Sequence, residues 1–279
     1  MELRFKGGSE CINFPLNMVK SQIMNGKVYL SVVIPCYNEK ENLKRGVLFE
    51  IKEYLDKQTF NWEVIISDDG SKDGSADLIE SQIKAFSGFR FIKNSHGGKP
   101  FAIWHGIKES VGKYILFTDM DQSTPIVELS KLIPFVKKDC DAVIGSRGLI
   151  RKNFPMVRKM GSMIFVGLRK AFILPEISDT QCGFKVFKRE VLLKTFPRLE
   201  FFKKEKKREG WNVTSYDVEL LHIIKKMGFC ISEVNVLWED KDISESKGGY
   251  MRRYLKESWE MLGQILRVKL NDLKGEYNF

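Results

Sequence analysis

No run of about 18 consecutive apolar residues occurs in this 279-residue chain, so no segment reads as a membrane-spanning helix. The nearest stretches, Met163–Pro175 and Cys11–Met24, are short and are broken by Arg169 and Lys170 or by Asn17 and Lys20. No signal peptide is visible, and residues 1–27 read as a polar, unpatterned arm without a hydrophobic anchor. Cysteine is scarce. Cys11, Cys36, Cys140, Cys182 and Cys230 are odd in number, far apart and never in a CxxC pair, which argues against a disulfide framework or a zinc site and makes a reducing cytoplasm the expected setting. Only three histidines occur (His96, His105, His222), none with metal-ligand spacing, and all are read as structural. There is no GxSxG elbow, GxGxxG fingerprint or Walker A string, which disfavours hydrolase, dehydrogenase and P-loop chemistry.

Positive charge, by contrast, is abundant and unevenly placed. Residues 1–150 carry 20 Lys+Arg against 19 Asp+Glu, a net of +1, and residues 151–279 carry 26 against 17, a net of +9, which together make the chain's +10. Such an asymmetry suggests an anionic partner on one side, either a phosphate-bearing membrane surface or nucleic acid.

From Val28 the pattern is regular. "VYLSVVIP" (Val28–Pro35) is a β-branched run ended by proline, a buried strand. Helical periodicity follows from Glu39 to about Lys57, with Asn38 as the expected N-cap and Glu41 as its capping partner. "WEVIISDDGS", "FRFIKN" and "KYILFTDMD" give three further strands, separated by the helices "DGSADLIESQIKAF" and "GGKPFAIWHGIKESVG", the latter with Pro100 in its first turn. Thr124 and Pro125 are expected to cap another helix. Later come a basic amphipathic helix around Pro155–Phe172, the short segment "CGFKVFKRE", a helix from about Ser215 to Lys226, the strand-like "FCISEVNVLW" and a terminal helix from about Tyr250 to Leu273. Strands alternating with helices predict an α/β fold around a mostly parallel sheet, whose ligand crevice lies at the C-terminal strand ends. Four such ends are polar or glycine-rich: Pro35–Glu39, Asp68–Ser71, Asn94–Lys99 and Asp119–Gln122.

Asp119 and Asp121, at i and i+2, would face opposite ways on a regular strand and can serve one site only where the strand has ended. Left alone they repel; a divalent cation with phosphate oxygens removes that penalty, and Mg²⁺ suits a site with one or two protein carboxylates plus diphosphate oxygens. A bare DxD pair is weak by itself, since acids before Pro125 also serve turns.

The weight comes from "IPCYNEKEN", "IISDDGSKDGS", "SHGGKPFAIWHG" and "FTDMDQST" in this order. The set resembles the family 2 glycosyltransferases of the GT-A fold, over about Leu30–Lys269. "GSRG", "DTQCGFKVF", "SYDVELL" and "EVNVLWED" resemble the branch acting on polyprenyl phosphates, most of all the dolichyl-phosphate β-glucosyltransferases. The resemblance implies an inverting, metal-dependent enzyme using Mg²⁺ or Mn²⁺ that moves a hexose, glucose foremost, from UDP-glucose to a polyprenyl or dolichyl phosphate. GDP-mannose as donor, or a hydroxyl acceptor, is the near alternative. It further implies that Pro35, Tyr37, Asn38 and Glu39 line the nucleotide pocket, that Asp68 or Asp69 reads base or ribose, and that Lys99 and Met120 lie near the donor. Asp119 and Asp121 would hold nucleotide and metal, Asp121 most directly. Arg147, Asp179, Gln181 and Lys185 would border sugar and acceptor, and Lys247 would cover the diphosphate. The implied organisation is an arm (1–27), a GT-A domain (28–248, with a nucleotide half 28–122 and an acceptor half 123–248) and a C-terminal amphipathic helix (249–279).

Two departures from the family pattern stand out. The dolichyl glucosyl enzymes usually begin with a hydrophobic anchor, so membrane contact here rests on the basic helices, giving a cytoplasmic protein peripherally bound to a membrane. Related mannosyl enzymes place a metal-binding glutamine two residues after the second acid, where this chain has Ser123, with Gln122 one residue earlier. A lipid phosphate, with a second pKa of about 6, needs no strong base; for a hydroxyl acceptor Asp179, Asp217 and Glu219 would be the candidates, although "TSYD" from Thr214 also fits a capping box. A basic nucleic-acid-binding module would explain the lysines but not the acid-rich strand ends, and no nucleic-acid partner is expected. A catalytically inert nucleotide-binding or scaffold protein that keeps the fold is the remaining reading.

Overall fold

The apolar run Leu30–Cys36 is buried at every residue and forms β1 inside a seven-stranded sheet. The computed structural model describes residues 27–148, 167, 173–203, 216–241 and 250–278, the side chains of 250–261 excepted. Strands β2 (Trp62–Asp68), β3 (Phe89–Lys93), β4 (Tyr114–Phe117), β5 (Ala142–Ser146), β6 (Lys185–Lys188) and β7 (Ile231–Asn235) complete the sheet in the order β3-β2-β1-β4-β6-β5-β7. All neighbours are parallel except β6, which runs antiparallel to both β4 and β5. The expected α/β architecture is therefore present, with the segment "CGFKVFKRE" supplying the one reversed strand.

Side chains alternate across the sheet and make two cores. Leu30, Val32 and Ile34 face one side, covered by α1 (Lys40–Lys44), α2 (Val47–Asp56), α3 (Ser75–Ile83) and α5 (Leu129–Lys137). Val33 faces the other with Ile115 and Phe117, covered by α4 (Lys99–Glu109), α6 (Arg189–Thr195), α8 (Tyr216–Lys226) and α9 (Tyr250–Leu273), while the short α7 (Glu200–Lys203) links α6 to α8. No helix among the described residues is long and apolar enough to cross a membrane.

Two expected caps are corrected. The helix after β1 is broken at Gly46, whose φ of 83° lies in the left-handed region. Asn38 is not its N-cap: it has φ 56°, and its Oδ1 accepts from Lys72 N at 2.8 Å. The first amides of α1 are capped from another loop, Glu39 N by Ser75 Oγ at 2.8 Å and Lys40 N by Asp73 Oδ2 at 3.0 Å. Pro125 likewise leads into a 3₁₀ turn (Ile126–Glu128) without a side-chain cap, and Thr124 Oγ1 instead lies 3.7 Å from Cys182 Sγ.

Candidate active site

β4 ends at Phe117, and the chain then turns through Thr118–Pro125. Because regular pleating has stopped, Asp119 and Asp121 share the C-terminal edge while Met120 between them is 1% exposed in the core. Met120, expected beside the donor, therefore contributes no side chain there. Gln122, at φ 50°, folds back: its Nε2 donates to Thr118 Oγ1 (3.1 Å) and Asp119 O (2.8 Å), and its buried Oε1 has no hydrogen-bond partner among the described residues. Ser123 donates to Asp121 through its backbone N at 2.8 Å and its hydroxyl at 2.9 Å. Arg45 clamps the turn from α1's C-terminus, donating to Asp121 O and Lys241 O.

The two acids have opposite electrostatics. Burial opposes the charge of Asp119, but Lys99 Nζ at 2.5 Å, with Lys185 and Arg147 beyond, holds its carboxyl below the usual range. Burial, and then the charge of Asp119, pushes Asp121 up. Among the described residues, no cation forms an ion pair with the second carboxylate.

The loop before β6 presses against this pair. A Cβ on Gly183 would overlap Asp119 Oδ2 and stand 2.8 Å from its Cγ. Lys185, at the start of β6, was expected at the acceptor; it is instead enclosed, donating to Cys182 O and to Asp217 Oδ1 at 2.6 Å, with 1% of its side chain exposed. Arg147, just past β5, meets Asp179 through Nε (2.7 Å), Nη2 (2.9 Å) and its own backbone N (3.0 Å), and its guanidinium lies 5.6 Å from the Trp238 ring centre. Although burial works against ionisation, Arg147 keeps Asp179 well below the usual carboxylate range. Gln181 donates its N to Asp179 Oδ1 at 2.9 Å, and Glu233 of β7 accepts from Ser178 N (2.8 Å) and Asp179 N (2.6 Å).

On the β1–β2 side, Pro35 is buried in β1 just beyond the end of its pairing with β4, and Tyr37, Asn38 and Glu39 follow at the surface. Asp68 accepts from Gly70 N and Ser71 N, both at 3.0 Å, and so closes its own turn. Asp69 accepts from Gly97 N and Gly98 N, both at 2.8 Å, and from His96 Nδ1 at 2.9 Å, joining this turn to the start of α4. His96 stacks on Tyr37 with ring centres 4.6 Å apart.

The structure thus gathers Tyr37, Asp69, Lys99, Asp119, Asp121, Arg147, Asp179 and Lys185 along one sheet edge. Lys247, Thr214 and, Gly167 apart, the Pro155–Phe172 helix lie outside the described residues. Glu219 is corrected as a base: it is turned away, accepting from Arg267 Nη2, Tyr277 Oη and Glu200 N, each at 2.9 Å. His96, read from sequence as structural, sits at this edge against Asp69 and Tyr37, and Gly183 and Glu233 lie inside the quoted strings without an assigned role; the glycine inside "DTQCGFK" carries a signal, since a tight approach calls for the residue without a Cβ. Among the described residues no three His, Cys, Asp or Glu side chains cluster as a metal site. An open cleft of about 480 Å³ lies at the opposite sheet end, lined by Lys113, Asp139, Lys188 and Arg189, and includes none of the residues above.

A family model, Glycosyl transferase family 2, matches residues 31–196. The chain belongs to that family and is a glycosyltransferase. Within it, the chain is 32% identical to the dolichyl-phosphate β-glucosyltransferase of Dictyostelium discoideum, across 94% of this chain and 80% of that protein. It is also 32% identical to the proteins of that name in Saccharomyces cerevisiae (90% and 77% covered) and Homo sapiens (89% and 77%). Among solved structures, mannosyl-3-phosphoglycerate synthase from Rubrobacter xylanophilus superposes with a TM-score of 0.60 at 15% identity, covering 90% of this chain and 76% of that one. Glucosyl-3-phosphoglycerate synthase from Mycobacterium tuberculosis, in complex with Mn²⁺, UDP and glucosyl-3-phosphoglycerate, gives 0.59 at 16% identity, covering 94% and 86%. At these identities the structures speak for the fold.

Proposed function

We propose that this glycosyltransferase moves glucose from UDP-glucose to a dolichyl or other polyprenyl phosphate, with inversion, at the Asp119–Asp121 edge. The observation that carries the reading is the pair of strand-end carboxylates of which one, Asp119, is paired with Lys99 and the other, Asp121, has no ion-pair partner among the described residues. That arrangement suits a divalent cation shared with a diphosphate, which needs few protein ligands. Asp121 would hold Mg²⁺ or Mn²⁺ most directly, with Asp119 supporting. When bound, the metal neutralises the leaving diphosphate. Lys99 would then exchange its contact with Asp119 for a phosphate oxygen. The solved relative with Mn²⁺ and UDP supports this choice of metal and nucleotide.

Glucose as the sugar and dolichyl phosphate as the acceptor are supported by the names of relatives that match over most of the chain. The acids near the site agree with a phosphate nucleophile: Asp179 is committed to Arg147 and Asp217 to Lys185, so neither stands ready as a general base, and a dianionic phosphate needs none. Arg147, held by Asp179 and beside Trp238, would orient an acceptor phosphate. The nucleotide half is assigned to 28–122, the acceptor half to 123–248, and attachment to the cytoplasmic face of a membrane to the basic second half of the chain.

The test is transfer of label from UDP-glucose, and separately from GDP-mannose, to organic-extractable dolichyl phosphate, with Mn²⁺ and with EDTA. Metal-dependent labelling from UDP-glucose is expected. Labelling from GDP-mannose alone would replace the donor, and calorimetric binding of neither UDP nor GDP would leave an inert scaffold.

A further inference from the structure

The five cysteines look unrelated in sequence, yet folding brings two of them together. Cys140, in the turn before β5, and Cys230, in the turn before β7, are 90 positions apart, and their sulfurs stand 4.0 Å from each other. Both turns lie at the end of the sheet opposite the candidate active site. The juxtaposition is held by the backbone: β5 and β7 pair in parallel from Ala142↔Ile231, and Ala142 N donates to Cys230 O at 3.0 Å. Asp141, between Cys140 and β5, accepts from Cys230 N at 2.9 Å while Lys188 holds its other oxygen at 2.9 Å. Ser232 Oγ lies 3.3 Å from Cys140 Sγ. Cys230 is exposed and Cys140 half-buried, whereas Cys36 and Cys182 are buried.

We infer that Cys140 and Cys230 form a reversible disulfide site, oxidised by low-molecular-weight disulfides of the glutathione class. A bonded pair of sulfurs stands about 2.05 Å apart, so closure requires about 2 Å of approach, within reach of side-chain rotation on strand entries that are already paired. The exposed Cys230 thiolate attacks the small disulfide, forming a mixed disulfide and expelling one thiolate; the Cys140 thiolate then attacks the Cys230 sulfur and expels the second. The protein loses two protons and two electrons, and the small disulfide gains them as two thiols. Partial desolvation, then the neighbouring Cys140 and Asp141, raises the Cys230 thiol, which lowers its thiolate fraction and slows the first attack. The bond would close a loop of some 90 residues and staple edge strand β7, which carries Glu233 beneath Asp179, onto β5.

The test is equilibration of the folded chain with mixtures of reduced and oxidised glutathione, acid quenching, alkylation and peptide mapping. Expected are a linked Cys140–Cys230 peptide, intact thiols at Cys36 and Cys182, reversal by dithiothreitol, and a thermal midpoint raised by about 5 °C or more in the oxidised form. Cys140→Ser should trap glutathione on Cys230, and Cys230→Ser should leave Cys140 without a disulfide partner. Free thiols at both positions under a fully oxidised pool, a lasting glutathione adduct on Cys230 in the unaltered chain, or a bond between two chains through Cys230 would overturn the assignment.

Discussion

Gly183 has no left-handed φ, so alanine would not strain its backbone; what alanine would meet is the carboxylate of Asp119. Gly183→Ala is therefore a way of moving Asp119 without removing it. The expected result is unchanged circular dichroism, a thermal midpoint lowered by a few degrees, as overpacking of about 1–3 kcal/mol implies, and kcat/KM lowered roughly 100-fold, the scale of an ångström-sized misplacement; full activity would show that the carboxylate has room to move. Asp121 gives the complementary prediction. Its carboxyl is raised in the folded chain, so the folded state holds that proton more tightly than the unfolded state does. The stability this contributes is full below the ordinary aspartate range and is lost as pH rises through the raised value. Asp121→Asn should therefore raise the thermal midpoint at pH 7, with the gain vanishing near pH 3, while Mn²⁺-dependent UDP binding disappears; calorimetry and thermal scans at both pH values check the two halves. Asp119 and Asp121 were legible in the sequence because two acids after an apolar strand are conspicuous. The fit of Gly183 against Asp119 was not, since nothing local links positions 64 residues apart.

At the scale of elements, the strands β1 to β4 were legible because buried parallel strands are continuous apolar runs bounded by polar turns. The helix after β1 was misread in its start and continuity. A local capping rule placed Asn38, whereas the folded chain brings Asp73 and Ser75 from another loop to the same amides, and Gly46 interrupts the helix. Tertiary caps of this kind leave only a serine- and aspartate-rich loop as a trace. Helix α9, legible as a terminal helix, is fastened by charges that the pattern did not pair: Arg267 joins Glu200 and Glu219, and Lys226 holds Asp272 at 2.7 Å. Arg267→Ala would leave the buried Glu219 without its cation. A loss of roughly 2–4 kcal/mol in urea unfolding is expected, lower than for a fully enclosed pair because Arg267 is itself about a quarter exposed (23%). Adding Glu219→Gln should restore part of it, and simple additivity would show that the pair is not coupled.

For the whole molecule, the excess of positive charge lies in residues 151–279, and the proposed lipid acceptor places a membrane nearby. Binding to vesicles containing anionic lipid should exceed binding to neutral vesicles and weaken as salt rises from 0.05 to about 0.5 M, because the Debye length shortens to a few ångströms over that range. Salt-insensitive or absent vesicle binding would remove membrane attachment by charge. The reversed strand β6 has a consequence for how such a molecule is made. It sits between β4 and β5, so until the ribosome has delivered residues 185–188 the hydrogen-bonding edge of β4 has no neighbour and Asp119 has no Gly183 loop at its side. A nascent chain that already contains both acids is thus an open-edged intermediate, prone to pair with other chains, and the first four strands alone would not make a smaller enzyme.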